Sequence, residues 1–204
     1  MNTMRINFRK VQAKELAMMY HRPANIGAVI TFVIIYKNLH DHYRFGRRRF
    51  ADIMEQFDRY QQREWGLTQK EVNEVVTMQG LNEQLYNDYM HHAAKMAEID
   101  DTYSRILGRP PVASKRDRED YNEAAEIAYK VCMLILCRYL KFGKKRLNNL
   151  QRYIKADMWC ILEKRVKIIE FMNMLHESCA QNFGALDDWM KKYHRVYGKD
   201  GMPL

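Results

Sequence analysis

Proline and glycine are scarce in this 204-residue chain, which holds only four prolines and nine glycines. Both residues interrupt helices, so the long stretches without them favour helical structure. Apolar residues make up 47% of the chain and charged residues 29%, which is typical of a globular protein rather than a disordered one. We therefore predict an all-α fold, a multi-helix bundle of one domain or two small ones.

The signatures of common enzyme classes are also missing. The chain has no P-loop, no G-x-G-x-x-G and no G-x-S-x-G sequence, which are the motifs of nucleotide-binding and serine-hydrolase sites. Its histidine pairs, His40/His42 and His91/His92, lack the spacing that places two metal ligands on one helix face. We expect a protein without catalysis, cofactor or metal.

Four cysteines are present, none of them in a C-x-x-C pair: Cys132, Cys137, Cys160 and Cys179. They are interpreted as small core residues of a protein from a reducing compartment. The longest apolar run, residues 28–36, is far shorter than the roughly 20 residues that span a bilayer. Residues 1–10 do not have the pattern of a signal peptide. These features predict a cytoplasmic protein that does not enter a membrane.

The net charge of +9 is unevenly distributed. Residues 1–50 carry a net +8, residues 51–104 a net −7, and residues 105–204 again a net +8. A basic surface favours nucleic acid, an anionic membrane surface or an acidic protein as the partner. The alternative is that the acidic segment folds against the basic ones and cancels part of their field.

One short stretch occurs twice, 97 positions apart: FGRRRF at 45–50 and FGKKRL at 142–147. An ungapped alignment of residues 25–57 with 122–154 has seven identities in 33 pairs. A period this long does not suit a solenoid and indicates two copies of one supersecondary unit. Each copy reads as an apolar helix, a glycine turn and a basic helix.

The repeat predicts the domain organisation. We expect an N-terminal unit over 1–107, a charged, proline-containing linker over 108–120, and a C-terminal unit over 121–204; the two units can also pack as one domain. Residues 25–36 are rich in β-branched side chains and alone would suggest a buried strand. Their repeat partner has a helical composition, so we predict a helix here as well.

Other patterns predict individual helices. Gly46 and Gly143 are expected to end the first helix of each unit in a left-handed conformation. The spacing Thr68-x-x-Glu71 indicates a capping box, and a further helix is predicted over 81–107. No glycine or proline interrupts residues 144–182, where apolar side chains recur every seven positions. We predict one helix of about 30 residues there.

The repeated motif places cations in the first turn of a helix, where free backbone N–H groups bind anions. The candidate nucleic-acid or partner-binding residues are Arg44, Arg47, Arg48, Arg49, Lys141, Lys144, Lys145 and Arg146. Five neighbouring aromatic residues could stack on unpaired bases or belong to the core: Tyr43, Phe45, Tyr139, Phe142 and Tyr153. The glycine turn also suggests helix-turn-helix geometry, with the two copies acting like the halves of a dimer. The alternative is a solvated helix start that only maintains solubility.

The F-G-[KR]-[KR]-R-[LF] core, preceded by Tyr43-Arg44 or Leu140-Lys141, resembles small uncharacterised proteins encoded by phages and mobile elements of Gram-positive bacteria. Those proteins look like single copies of the unit, and the likeness covers about a third of this chain. The resemblance implies a setting of phage or mobile-element biology, in which small basic helical proteins bind nucleic acid or disable host defence.

These observations lead to three hypotheses, in order of preference. The first is a non-enzymatic protein that contacts the backbone of DNA or RNA through the two motifs. The second is an inhibitor, similar to anti-CRISPR proteins, that binds a host defence nuclease complex and blocks its nucleic-acid channel. In the third, the chain forms a homodimer or larger oligomer through the apolar positions of 147–175.

Overall fold

The computed structural model describes residues 23–61, 81–98, 114–181 and 191. Over these residues the protein is an all-α bundle without strands, as predicted. Its helices are α1 (Pro23–Tyr43), α2 (Arg47–Gln61), α3 (Glu83–Glu98), α4 (Lys115–Arg138), α5 (Lys144–Leu162) and α6 (Ile168–Cys179). The predicted capping box at 68–71 and the end of the helix predicted over 81–107 lie outside the described residues.

Helix α1 contains the β-branched run that alone would suggest a strand, and the helix prediction is confirmed. Every residue from Thr31 to Tyr36 is buried, so neighbouring helices cover this part of α1 on all sides. The Thr31 hydroxyl is satisfied within the helix because it donates to the carbonyl of Gly27 at 2.8 Å. Tertiary burial therefore outweighs the weak intrinsic preference of these side chains.

Helix α4 begins inside the segment predicted as a linker. Ser114 is its N-cap, and its hydroxyl accepts from the N–H of Asp117 at 3.1 Å while the Asp117 carboxylate accepts from the N–H of Ser114 at 3.0 Å. This reciprocal pair is a capping box. Residues 115–120, expected in the linker, therefore form the first turns of a helix.

Helices α1 and α4, the first helices of the two repeat copies, lie side by side and run in the same direction. Gly27 near the start of α1 touches the backbone of Tyr121 near the start of α4, and Phe45 and Phe142, just beyond their ends, also meet. The second helix of each copy packs across the pair, α2 against α4 and α5 against α1. Helix α3 packs on α4 and α5, and α6 on α1. Residues from both predicted units thus contribute to one core.

The prediction of one long helix after Lys144 is wrong. Helix α5 ends at Leu162, Lys164 adopts a left-handed conformation with φ 58°, and α6 starts at Ile168. The carboxylate of Glu170 accepts the N–H of Lys167 at 3.2 Å and caps the new helix. The turn lets α6 fold back on α1. The residues at seven-residue intervals are all buried within the core of the single chain, so they do not form an exposed seam for an oligomer: Leu147, Ile154, Ile161, Ile168 and Leu175.

Candidate nucleic-acid interface

The turn that precedes each basic helix has the same backbone conformation in both copies. The left-handed residue is the cation before the phenylalanine, Arg44 with φ 56° and Lys141 with φ 54°. The prediction that Gly46 and Gly143 take this conformation is wrong. Gly143 is extended, with φ −79° and ψ 169°, and is the N-cap of α5.

Matching hydrogen bonds close the two turns. The N–H of Phe45 donates to the carbonyl of Leu39 at 3.1 Å, and the N–H of Phe142 donates to the carbonyl of Leu136 at 2.9 Å. Leu39 and Leu136 are repeat partners and both are fully buried. The sequence identities Leu39/Leu136 and Phe45/Phe142 therefore coincide with the hydrogen bond that closes each turn. The two copies form the same turn, which agrees with an internal duplication.

The last cation of each motif is held against the motif's own phenylalanine. The guanidinium of Arg49 lies over the ring of Phe45 at 4.9 Å, and that of Arg146 lies over the ring of Phe142 at 4.7 Å. Such cation–π contacts contribute about 0.5–1 kcal/mol at an exposed site and favour one position of an otherwise flexible side chain. Arg146 also donates to the carbonyl of Lys141 at 2.6 Å. The spacing Phe-Gly-x-x-Arg thus produces two exposed guanidinium groups in defined positions.

The two turns lie next to each other although 97 residues separate them in the sequence. The rings of Phe45 and Phe142 meet edge to face with centroids 6.0 Å apart. Tyr43 packs its ring on Phe142 at 5.0 Å and donates its hydroxyl to the carbonyl of Arg146 at 2.9 Å. Parallel packing of α1 and α4 therefore joins both motifs into one surface, which we call the basic end of the bundle.

All eight predicted cations are exposed at this end: Arg44, Arg47, Arg48, Arg49, Lys141, Lys144, Lys145 and Arg146. Within the described part of the chain, none of them forms an ion pair with a carboxylate. Other lysines of the bundle do, since Lys37 pairs with Asp157 at 2.9 Å and Lys155 with Asp88 at 2.7 Å. No carboxylate of the described residues therefore neutralises the positive charge at the basic end.

Between the two turns lies an open cleft of about 300 Å³. Aromatic and aliphatic residues form most of its lining, and Arg49, Lys141 and Arg146 complete it. Of the predicted aromatic residues, Phe45 and Phe142 are core, Tyr43 is half-buried, and Tyr139 is 45% exposed. The fifth, Tyr153, lies outside this cleft and stacks on the ring of His42 at 3.7 Å.

This geometry rules out the dimer-like helix-turn-helix arrangement. The recognition helices of such dimers enter successive major grooves, about 34 Å apart. Here the two basic helices start from turns whose phenylalanine rings are 6.0 Å apart. The two motifs form one compact contact surface and cannot act as two half-site readers.

No family model matches the chain, and neither does any curated protein or solved structure with which it was compared.

Two features near the basic end could not be read from the motif. A second, smaller cleft of about 230 Å³ lies beside Tyr139, and the carboxylates of Asp52 and Glu55 line it. The repeat partners of these acids are Asn149 and Arg152. The equivalent positions of the two copies thus carry different charges, although Glu55 is paired with Arg59 at 2.9 Å.

Helix α6 also contacts the first turn, through Cys179. The Nδ1 atom of His40 lies 2.9 Å from the carbonyl oxygen of Phe45 and 3.3 Å from the sulfur of Cys179. Burial raises the pKa of the Cys179 thiol, and it raises the pKa of Cys137, the repeat partner of His40, to about 11. Both groups are therefore neutral thiols at pH 7, consistent with structural rather than nucleophilic cysteines.

The described segments contain no group of three or more potential metal ligands. None of the helices in the ranges given above is long and apolar enough to cross a bilayer.

Proposed function

We propose that this protein binds the phosphate backbone of a nucleic acid at the basic end of the bundle, without catalysing a reaction. The observation that carries the proposal is the convergence of two distant motifs on one surface. Their eight exposed cations have no carboxylate partner among the described residues. A cluster of uncompensated lysines and arginines attracts a polyanion and gains affinity by releasing its counterions.

The backbone at the helix starts adds to this attraction. Gly143 offers no side-chain cap to α5, so its first N–H groups stay available to an anion, and the helix dipole favours a negative charge there. The cation on the preceding left-handed residue, Lys141, stands at the same end. Backbone donors and side-chain charges therefore act together on a phosphate.

The first experiment compares two variants with equal change in charge. Arg47 and Arg48 are exposed and contact no carboxylate in the described structure, so R47E/R48E alters the basic end without altering packing. We expect it to lower affinity for labelled DNA and RNA by at least tenfold, and to reduce the salt dependence of binding, since each lost phosphate contact lowers the slope by about 1. Fluorescence anisotropy at about 50 and 200 mM salt measures both quantities.

The matched control is K115E/R116E. Lys115 and Arg116 are exposed at the start of α4, at the opposite end of the parallel pair from the two turns. This control has the same net charge as R47E/R48E but leaves the basic end intact, so its binding stays close to that of the unmodified protein. Equal losses in the two variants would show that only net charge matters and would contradict a site at the basic end.

An unmodified protein that binds neither DNA nor RNA at low salt would turn attention to the inhibitor hypothesis. In that case the same cations and the nearby Asp52 and Glu55 would contact a host nucleoprotein complex. The phage or mobile-element setting implied by the repeated motif fits either partner. A pulldown with the R47E/R48E variant as the negative control would then identify the complex.

A further inference from the structure

The cleft between the two turns is poorly suited to phosphate alone. Five of its eight lining residues are aromatic or aliphatic, and three cations complete the lining. Its volume of about 300 Å³ is at the lower end of the range for small-molecule sites. This is enough for one flat ring system but not for a double helix. The chemistry of the lining therefore suits a planar, apolar-faced group attached to a charged backbone.

Two guanidinium groups line this cleft. Arg49 and Arg146 are exposed, and their guanidinium carbons lie 4.9 Å and 4.7 Å from the ring centroids of Phe45 and Phe142. Nucleobases stack on guanidinium planes and on aromatic rings in single-stranded nucleic-acid complexes. Tyr139, which is 45% exposed, adds an aromatic ring to the same cleft.

We infer that the cleft binds one unpaired base of a single-stranded nucleic acid, stacked on Arg49, Arg146 and Tyr139, while the surrounding cations hold the flanking phosphates. A base inside a duplex is already stacked between its neighbours and cannot enter without being unpaired. This inference rests on the proposed function and specifies its substrate as a single strand. Stacking of this kind is tolerant of sequence because every base has a π-face.

The test compares two oligonucleotides with the same phosphates. One is a labelled oligo-dT and the other is an abasic strand of equal length, with oligo-U as the RNA counterpart. If a base occupies the cleft, the unmodified protein binds oligo-dT about 5- to 150-fold more tightly than the abasic strand, the range expected from one stacking contact. Equal affinity for the two strands overturns the inference and leaves backbone binding intact. Binding to neither strand overturns both proposals.

The R49K/R146K variant tests the guanidinium planes directly, because it keeps both charges and removes both planes. We expect the ratio of the two affinities to fall towards one, whereas R47E/R48E lowers both affinities and leaves the ratio high. Y139A should also lower the ratio. The matched control is W159A, since Trp159 is 53% exposed on α5 but lies outside the cleft. If the ratio of the affinity for oligo-dT to that for the abasic strand is unchanged in both R49K/R146K and Y139A, the inference is overturned. If a variant fails to fold, the comparison of the two strands with the unmodified protein still tests the inference.

Discussion

Two cations occupy a backbone conformation that usually belongs to glycine. Arg44 and Lys141 are left-handed, which costs an L-residue about 1–2 kcal/mol. Glycine would avoid this cost, and it is the common residue at the left-handed position after a helix. Both copies nevertheless carry a cation there, at the surface where the two turns meet. If the basic end binds a polyanion, as we propose, this strain is the cost of keeping a charge at the binding surface.

Replacing Lys141 should therefore move stability and binding in opposite directions. We expect Lys141→Gly to raise the free energy of unfolding by about 0.5–1 kcal/mol through relief of the left-handed strain. The melting temperature should rise by about 1–4 °C for a chain of this size. Affinity for a polyanion should fall, because one phosphate contact is lost. Thermal unfolding and fluorescence anisotropy on the same sample measure the two effects.

The control for this substitution is Lys141→Ala. It removes the same cation but keeps an L-residue in the left-handed conformation, so binding falls without the gain in stability. A lower melting temperature for Lys141→Gly would show that the lysine side chain itself supports the turn.

A partly buried cluster of Glu126, Tyr86 and Lys130 contributes to stability away from the basic end. The carboxylate of Glu126 accepts the hydroxyl of Tyr86 at 2.5 Å and also binds the ammonium of Lys130, which is only 9% exposed. Partial burial raises the pKa of Glu126, but the hydrogen bonds from Lys130 and Tyr86 lower it more, so its pKa lies below the ordinary value. The ionised form of Glu126 thus stabilises the fold.

Glu126→Gln should destabilise the protein in a pH-dependent way. The carboxylate has a lower pKa in the folded state than in the unfolded chain, where it is about 4.3. Its contribution is therefore present above about pH 4.3 and is lost as the pH falls through the folded-state pKa. We expect a loss on the order of 1 kcal/mol at pH 7, since the pair is partly exposed to solvent. This difference should shrink below pH 4.

Urea unfolding at pH 7 and at pH 3.5 measures this difference. Glu123→Gln is the matched control, because Glu123 is exposed on the same helix and should have little effect at either pH. A difference between Glu126→Gln and the unmodified protein that does not change with pH would contradict the role of the ionised carboxylate.

The chemistry of individual side chains was the most predictable part of the site. The sequence correctly indicated eight exposed cations, because consecutive charges after a glycine have no means of burial. The left-handed conformation was predicted at Gly46 and Gly143 instead of Arg44 and Lys141, because glycine is the usual left-handed residue after a helix. The stacking of Arg49 on Phe45 was not foreseen, although the four-residue spacing repeated in both copies could have suggested it.

Helices α1 and α4 can approach each other closely because residue 27 is glycine. A Cβ atom added there would lie 2.3 Å from the carbonyl oxygen of Tyr121, and a backbone atom cannot move aside as a side chain can. On helix propensity alone Gly27→Ala would stabilise α1 by about 1 kcal/mol. We expect the steric conflict to dominate and the free energy of unfolding to fall by about 1–2 kcal/mol.

Urea unfolding tests this expectation, with Gly46→Ala as the matched control. A Cβ atom at Gly46 meets no atom within 4 Å, so this control should lose about 1 kcal/mol at most, from a weaker start of α2. A gain in stability for Gly27→Ala would mean that the two helices are not in backbone contact.

The presence of helices was predicted well, because it follows from composition. The residues at which helices begin and end were predicted poorly, because they depend on local backbone geometry. The repeat identified α1 as a helix against its own β-branched composition. The break between α5 and α6 was missed because a left-handed Lys164 needs neither glycine nor proline. The start of α4 was missed because the charged segment 112–120 looked like a linker, although Ser114 and Asp117 have capping-box spacing.

How the two copies pack was beyond the reach of the sequence. A repeat shows that a unit recurs, but it does not show whether the copies lie side by side, end to end or apart. Their parallel arrangement depends on complementary surfaces such as Gly27 against Tyr121. The acidic middle region does contact a basic one, since Asp88 pairs with Lys155, yet no carboxylate of the described residues pairs with a cation of the basic end.

The unequal flanks of the basic end have a consequence for orientation. An identical pair of copies would present the same surface to a strand running in either sense. In this chain, Asp52 and Glu55 stand on the α2 side, whereas Asn149 and Arg152 take the equivalent positions on the α5 side. Glu55 is paired with Arg59 at 2.9 Å, so Asp52 carries most of this difference in charge. If a single strand binds at the basic end, as we propose, its phosphates would meet different charges on the two sides of the cleft, and the strand would be bound in one preferred 5′ to 3′ direction.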